Sequence, residues 1–389
     1  MIKKISVVAT LLIAAGAVQA QSNVTLYGII DLPLEYENNQ APAAPKTDPV
    51  TGVVNRQPGG GGRFLLQGTG GLSGSRWGLR GSEDLGGGLK ATFWLESGFS
   101  SSNGGLLLGL LFSRQAAIGL QSASLGTLSF GRQNVTISDI LANFAPMRAA
   151  SLYDPVYLQL GLNFRSDNVI KYVKKFNAVT AEAHYSFGTG LGILGDTPVP
   201  NADGGVPGHF RDNTGYGAGV SYLGNAFGAT VIYDQWNPAI VTGNPGTAKK
   251  IAVAARYDFG NVQFKGGYRW GRTVDATGRD LLRDDYYWIG ANYQVDPFLE
   301  VSLAYYFDNL KALKTNGAQP NADLANPWQI SFLTDYFLSK RTDVYLTMAY
   351  SKNGALNFDS TAVSFASSNF MEQGKNDQFG AAIGIRHRF

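Results

Sequence analysis

Three histidines, His184, His209 and His387, and no cysteine limit the chemistry open to this 389-residue chain. A nucleophilic serine needs a histidine within hydrogen-bond reach and a third group to orient it. His184 stands two residues before Ser186, but side chains two apart along a strand lie about 7 Å apart. With no orienting carboxylate evident, His184 reads as a lining side chain rather than half of a catalytic pair. Three scattered histidines give no transition-metal set, and no loop has the Ca²⁺-binding spacing of an EF-hand. Gly59–Gly62 is followed by Arg63 rather than Gly-Lys-Ser, so no phosphate cradle forms. The expectation is a protein without catalytic residues, metal or cofactor.

The elements that position the remaining polar residues are strands. Gly makes up 49 of 389 residues, nearly 13% against an average of about 7%, and Gly disfavours helix by about 1 kcal/mol relative to Ala. Aromatics reach 12% through 19 Tyr, 22 Phe and 6 Trp, while charged residues are only 16%. Aromatic side chains suit strands.

Met1–Ala20 has the form of a secretory signal peptide: Lys3 and Lys4, an apolar run from Ile5 to Val18, then Val18-Gln19-Ala20 before the cut. The run is too short to span a bilayer as a helix. The expected mature chain is 21–389. Without Lys3 and Lys4 it carries 30 basic against 29 acidic residues, so the formal charge falls from +3 to +1. No basic run marks a nucleic-acid partner. Export without cysteine means a fold without disulfides.

Alternation with period two decides the architecture. Phe379, Ala381, Ile383, Ile385, His387 and Phe389 share one face, and Gly380, Ala382, Gly384, Arg386 and Arg388 the other. Leu299–Asp308, Asp343–Tyr350 and Val262–Gly271 alternate in the same way, which helical spacing does not explain. Aromatics such as Tyr257, Phe259, Tyr268, Trp270, Tyr305, Phe307, Trp328 and Tyr350 recur at strand ends, as interfacial girdles require. Short turns (Asp84–Gly88, Gly224–Asn225, Gly260–Asn261) alternate with long loops (Glu37–Ser73, Asn134–Phe164, Asn309–Pro327). This is the layout of an all-β transmembrane antiparallel β-barrel with short periplasmic turns and long extracellular loops. The count is 16 strands; the 369 mature residues allot about 23 to each strand with its connection, enough for about 10 tilted residues across the bilayer.

Four segments then carry a resemblance. They are Val24-Thr25-Leu26-Tyr27-Gly28; the run from Ser75-Arg76-Trp77-Gly78 through Ser82-Glu83-Asp84-Leu85-Gly86 to Ala91; Arg114–Leu120 leading to Leu128–Gln133; and Arg165–Tyr172. With the terminal Phe389, they make the chain resemble the beta-proteobacterial general porins, the Neisseria and Burkholderia type of Gram-negative trimeric porin. The resemblance implies a homotrimer in the cell outer membrane, among lipid and lipopolysaccharide. It implies a third loop folded into the lumen and a Phe389 read by the barrel-assembly machinery. The function implied is a water-filled channel for passive diffusion of ions and small hydrophilic solutes; the alternative is a porin preferring small organic anions.

The same resemblance matches the family's basic pore wall to Arg76, Arg114 and Arg165. Parity independently turns Arg76 and Arg80 inward, because Trp77 and Leu79 take the lipid side. Arg165 shares parity with Lys171 and also points inward. Arg114 shares parity with Ala116, Ile118 and Leu120, so its inward direction rests on the resemblance alone. The third loop holds only Asp139, Arg148 and Asp154 as charges; these complete the expected constriction. Few carboxylates facing several arginines predict anion preference, since opposed charges across a narrow ring order water and bias ions by sign. The second loop, Gly104–Phe112, is unusually apolar; the two readings are burial against a neighbouring subunit and an early entry of a strand into the membrane.

Overall fold

A computed structural model describes residues 23–47, 54–158, 160, 162–190, 205–239, 242–314, 325–358 and 369–389. Residues 1–20, expected to be a signal segment, lie outside the described residues. Sixteen strands close into one antiparallel barrel, and the short strand Gly61–Leu66 of the first loop joins the same sheet. The barrel strands are β1 (Asn23–Gln40), β2 (Arg76–Gly86), β3 (Leu89–Gly98), β4 (Gln115–Ser122), β5 (Gly126–Asn134), β6 (Arg165–Phe176), β7 (Val179–Ser186) and β8 (Gly215–Leu223). They continue as β9 (Phe227–Trp236), β10 (Thr247–Phe259), β11 (Val262–Val274), β12 (Asp280–Asp296), β13 (Leu299–Leu313), β14 (Trp328–Phe337), β15 (Thr342–Lys352) and β16 (Asp377–Arg388).

Each strand pairs with the next in sequence. The ring closes on β1, whose first part pairs with β2 (Asn23↔Ser82 to Ile29↔Arg76). Its remainder pairs with β16 (Ile29↔Arg388 to Glu37↔Gly380). No helix among the described residues is long and apolar enough to cross a membrane; the crossing elements are strands, whose backbone groups all pair once the ring is closed.

Burial follows the alternation. Along β15 every second residue is buried, and β8 alternates buried and exposed through eight residues. The outward set is apolar and exposed: Val220, Val231, Val253, Ile289, Leu303 and Ile383. Such a surface is unfavourable in water by about 25 cal/mol per Å² and suited to lipid. Aromatic rings line the outside near the long loops, from Tyr185 and Tyr216 through Tyr268, Tyr287 and Phe307 to Trp328 and Tyr350, with neighbouring centroids 5.1–6.4 Å apart. A second belt, Tyr222, Phe227, Tyr257, Phe264, Tyr293 and Tyr336, runs beside the short turns. Both belts sit where interfacial aromatics belong. The β2–β3 turn is tight because Gly86, Gly87 and Gly88 all adopt positive φ (82°, 60° and 78°), a sequence of conformations that only glycine accepts readily.

The described residues 135–158, 160 and 162–164 between β5 and β6 do not stand over the barrel; they fold into the lumen. Helix α1 (Thr136–Leu141) packs on β7, β8 and β9. The chain then crosses β10–β13 and reaches β14, β15 and β1 before helix α2 (Pro155–Leu158) starts its return. Val135, Ile137, Ile140, Leu141, Phe144 and Met147 are buried against Ile232, Ala252, Tyr286, Trp288, Tyr306 and Tyr345 of the wall. Wall side chains hold the loop's backbone: Trp288 Nε1 donates to Phe144 O at 3.0 Å, Asn292 Nδ2 to Pro146 O at 2.7 Å and Gln329 Nε2 to Tyr153 O at 3.3 Å.

Candidate functional site

The loop packs along β7–β15 and also touches β1, where Tyr153 OH donates to Glu35 Oε1 at 2.7 Å, and β6, where Lys171 meets Asp139; the inward residues of β2–β4 stand across the lumen from its apolar core. On that wall Glu96 of β3 is the organising residue. It is 3% exposed and its carboxylate accepts from Tyr27 OH at 2.8 Å and Arg114 Nε at 2.5 Å, with Arg76 Nη1 at 3.8 Å. Arg76 also donates to Gly74 O at 2.9 Å. Two of the expected wall arginines are therefore held by one carboxylate that sequence reading passed over.

Arg114 points inward for a local reason. Pairing of β3 with β4 begins at Glu96↔Gln115, so Arg114 lies just beyond the strand and the alternation no longer fixes its direction. Its N–H donates to Glu96 O at 3.1 Å, and the side chain turns to the carboxylate of the same residue.

Arg80 lies on the lumen face nearer the short turns, paired in register with Thr25 and Trp94. Its guanidinium stands 5.3 Å from the Tyr27 ring centroid, and it is exposed. Among the described residues no carboxylate forms an ion pair with it.

The loop's charges divide. Asp139, on α1, accepts from Asn134 Nδ2 at 3.0 Å and from Lys171 Nζ at 2.5 Å. With Asn143, Arg148 and Ser151 it makes up the polar part of the described loop that is not fully buried. Arg148 holds φ at +59° and pairs with Glu300 of β13. Asp154 is 0% exposed and accepts from Ala149 N–H at 2.9 Å and Tyr306 OH at 3.1 Å. Burial pushes its carboxyl up to about 6, against hydrogen bonds from Tyr306, Ala149 and Val156 that favour its anion. It anchors the loop from within. Arg165 is likewise buried: its Nε donates to Asn134 Oδ1 at 3.1 Å and its guanidinium lies 5.0 Å from the Phe164 ring, bracing the two roots of the loop. The structure thus gathers Arg76, Arg80 and Arg114 on one wall and sets Asp139 and Arg148 on the partly exposed face of the loop. Asp154 and Arg165 stand apart, under or behind it.

His184 has a structural task. Its Nδ1 accepts from Thr136 N–H at 3.2 Å, at the start of α1, and its Nε2 lies 3.9 Å from Asp234 Oδ2. Ser186 Oγ donates instead to Asp167 O at 2.7 Å, so no serine–histidine couple forms. Among the described residues no three metal-ligating side chains cluster.

The terminal Phe389 is stapled to β1: its N–H donates to Gly28 O and its carbonyl accepts from Gly28 N–H, each at 3.0 Å. A Cβ on residue 28 would meet the Phe389 ring at 2.3 Å, so that position requires glycine. The second loop forms no early strand; Leu107–Gly109 is a single helical turn, and Leu106, Leu108 and Leu111 are exposed by 47%, 38% and 56%.

The model of the Gram-negative porins matches residues 6–356. The chain belongs to the Gram-negative porin family. An outer membrane porin protein of Bordetella pertussis is 30% identical, with 96% of each chain covered. Outer membrane porin protein 32 of Delftia acidovorans is 28% identical over the full length of both. Among solved structures, an anion-selective porin from Comamonas acidovorans superposes with a TM-score of 0.73 at 26% identity, covering 95% of this chain and all of that one. This porin is an outer-membrane channel.

Proposed function

We propose that this porin conducts small hydrophilic solutes with a preference for anions, and that its constriction lies between Arg76, Arg80 and Arg114 on the wall and Asp139 and Arg148 on the infolded loop. The observation that carries this reading is the charge left over on the open wall. Glu96 is shared by Arg76 and Arg114, and Arg80 has no acidic partner among the described residues, so the passage retains a positive excess. In a narrow ring with low-dielectric walls such an excess raises local anion concentration. Asp154 and Arg165 act on this pore indirectly, by fixing the loop.

The likeness to a porin described as anion-selective supports the same sign. A preference for small organic anions is the second reading, favoured by an exposed arginine set among aromatic rings rather than among carboxylates. Assembly as a homotrimer, export through residues 1–20 and recognition of Phe389 by the assembly machinery complete the proposal.

Planar-bilayer recording tests it. Insertion events closing in three substeps, with a zero-current potential of anion sign in a KCl gradient, are the expected result. A cation-selective potential overturns the charge assignment, and silence from folded protein overturns the open-channel reading.

A further inference from the structure

We infer that the lumen holds a subsite for small aromatic carboxylates, built from Trp94, Tyr27 and Arg80 on the short-turn side of Glu96. The inference deepens the anion-preferring reading and rests on it. Trp94 shares strand parity with Glu96 and so faces the lumen. The other two tryptophans of lumen parity are covered, Trp288 at 3% exposed beneath the infolded loop and Trp236 at 5%. Trp94 is 43% exposed. Its one polar atom is satisfied, since Nε1 donates to Tyr27 OH, which donates in turn to Glu96 Oε2. That chain fixes the indole by its edge and leaves apolar ring surface open to the water of the pore.

An aromatic surface held rigid in an aqueous passage is unfavourable unless something stacks on it. The residue paired with Trp94 across the strands is Arg80, a cation with five fixed donors and no carboxylate partner among the described residues. Arginine of this kind binds a carboxylate in two parallel hydrogen bonds. Its neighbour Lys171 is already engaged by Asp139 at 2.5 Å, so the unsatisfied charge is concentrated on Arg80. Both residues line a recess of about 520 Å³ whose wall also includes Thr25, Ser82, Thr92 and Ser129. The volume suits a single substituted ring. A planar ring on the indole, a carboxylate on Arg80 and ring hydroxyls toward the threonine and serine side chains define the solute: a benzoate-like anion.

The test is block of the KCl current by benzoate, cyclohexanecarboxylate and acetate at equal ionic strength in single channels. The expected half-blocking concentration is about fivefold lower for benzoate than for its saturated analogue, since stacking on a fixed ring favours the planar solute; acetate leaves the current unblocked. Trp94→Ala is expected to bring benzoate to the level of the saturated acid, and Arg80→Gln to remove block by both. Trp94→Leu, which keeps an apolar side chain, separates lost stacking from disturbed folding and is expected to behave as Trp94→Ala does. Equal block by benzoate and cyclohexanecarboxylate, or benzoate block unchanged in both Trp94 variants, overturns the subsite. The zero-current potential in the same membranes keeps the readings apart. Absent benzoate block with an anion-selective potential refutes the subsite alone, and a cation-selective potential refutes the anion preference and the subsite together.

Discussion

The lumen of this barrel has two halves that alternate alike and behave differently. Along β2–β4 the inward residues are polar, among them Arg76, Arg80, Glu96 and Gln115, and Arg80 is exposed. Along β9–β15 the inward residues include Ile232, Tyr286, Trp288, Tyr306 and Tyr345, and these are sealed under the third loop as a compact apolar core. Period-two alternation tells which way a side chain points. It does not tell whether the space it enters is wet. The sign of a cover lies in the bulky apolar side chains: at positions facing an aqueous interior they mean that another segment lies over them.

Removing the cover should have the largest effect. Trp288→Ala deletes a buried indole and its hydrogen bond to Phe144 O, a change that costs about 3–5 kcal/mol in well-packed sites. The loop should loosen, giving larger and noisier single-channel conductance with the barrel intact; unchanged conductance and noise would mean the loop is held elsewhere.

Acidity should act on the same loop through Asp154. Its carboxyl is raised from 3.8 to about 6 by burial. A raised carboxyl binds its proton more tightly in the docked state, so the stabilisation is complete below about 3.8 and is lost as pH rises through about 6. Open-channel noise should therefore fall on acidification from pH 7 to pH 4, and Asp154→Asn should flatten that dependence; a wild-type trace indifferent to pH in this window counts against it.

On the open half, Glu96→Gln frees Arg76 and Arg114 from their shared carboxylate. The anion-to-cation permeability ratio should rise by about two- to threefold, as expected for one charge in a constriction, measured as a zero-current potential. A ratio that falls would mean the arginines leave the passage once released. The smallest effect is expected outside: Trp328→Ala removes a ring that contacts Tyr305 and Tyr350 at 6.0 and 5.6 Å and should lower barrel stability by about 1 kcal/mol in denaturant titration, with selectivity untouched.

The barrel itself was legible because lipid forces every second residue to be apolar, and sixteen repeats of that demand leave a clear trace from Leu26 to Ile385. Arg76 and Arg80 were legible by the same parity. Arg114 was not, because it lies one residue outside its strand, where parity ends. Glu96 escaped notice although it lies on the inward face of β3 opposite the arginine segment; a carboxylate there had to meet those cations. The inward aromatics Tyr286, Trp288, Tyr306 and Tyr345 carried a visible sign of the loop's position, and the buried roles of Asp154 and Arg165 depended on that position, which no local pattern encodes.

The seam of the ring has a consequence for how the chain is made. Ile29 meets Arg388 and Gly28 meets Phe389, so the contact that completes the sheet joins its first strand to its last residues. A chain interrupted within its final dozen residues would keep fifteen strands in order and yet possess two bare edges, each able to recruit a strand from another molecule. Quality control for such a protein need inspect only one place, the point where its beginning meets its end.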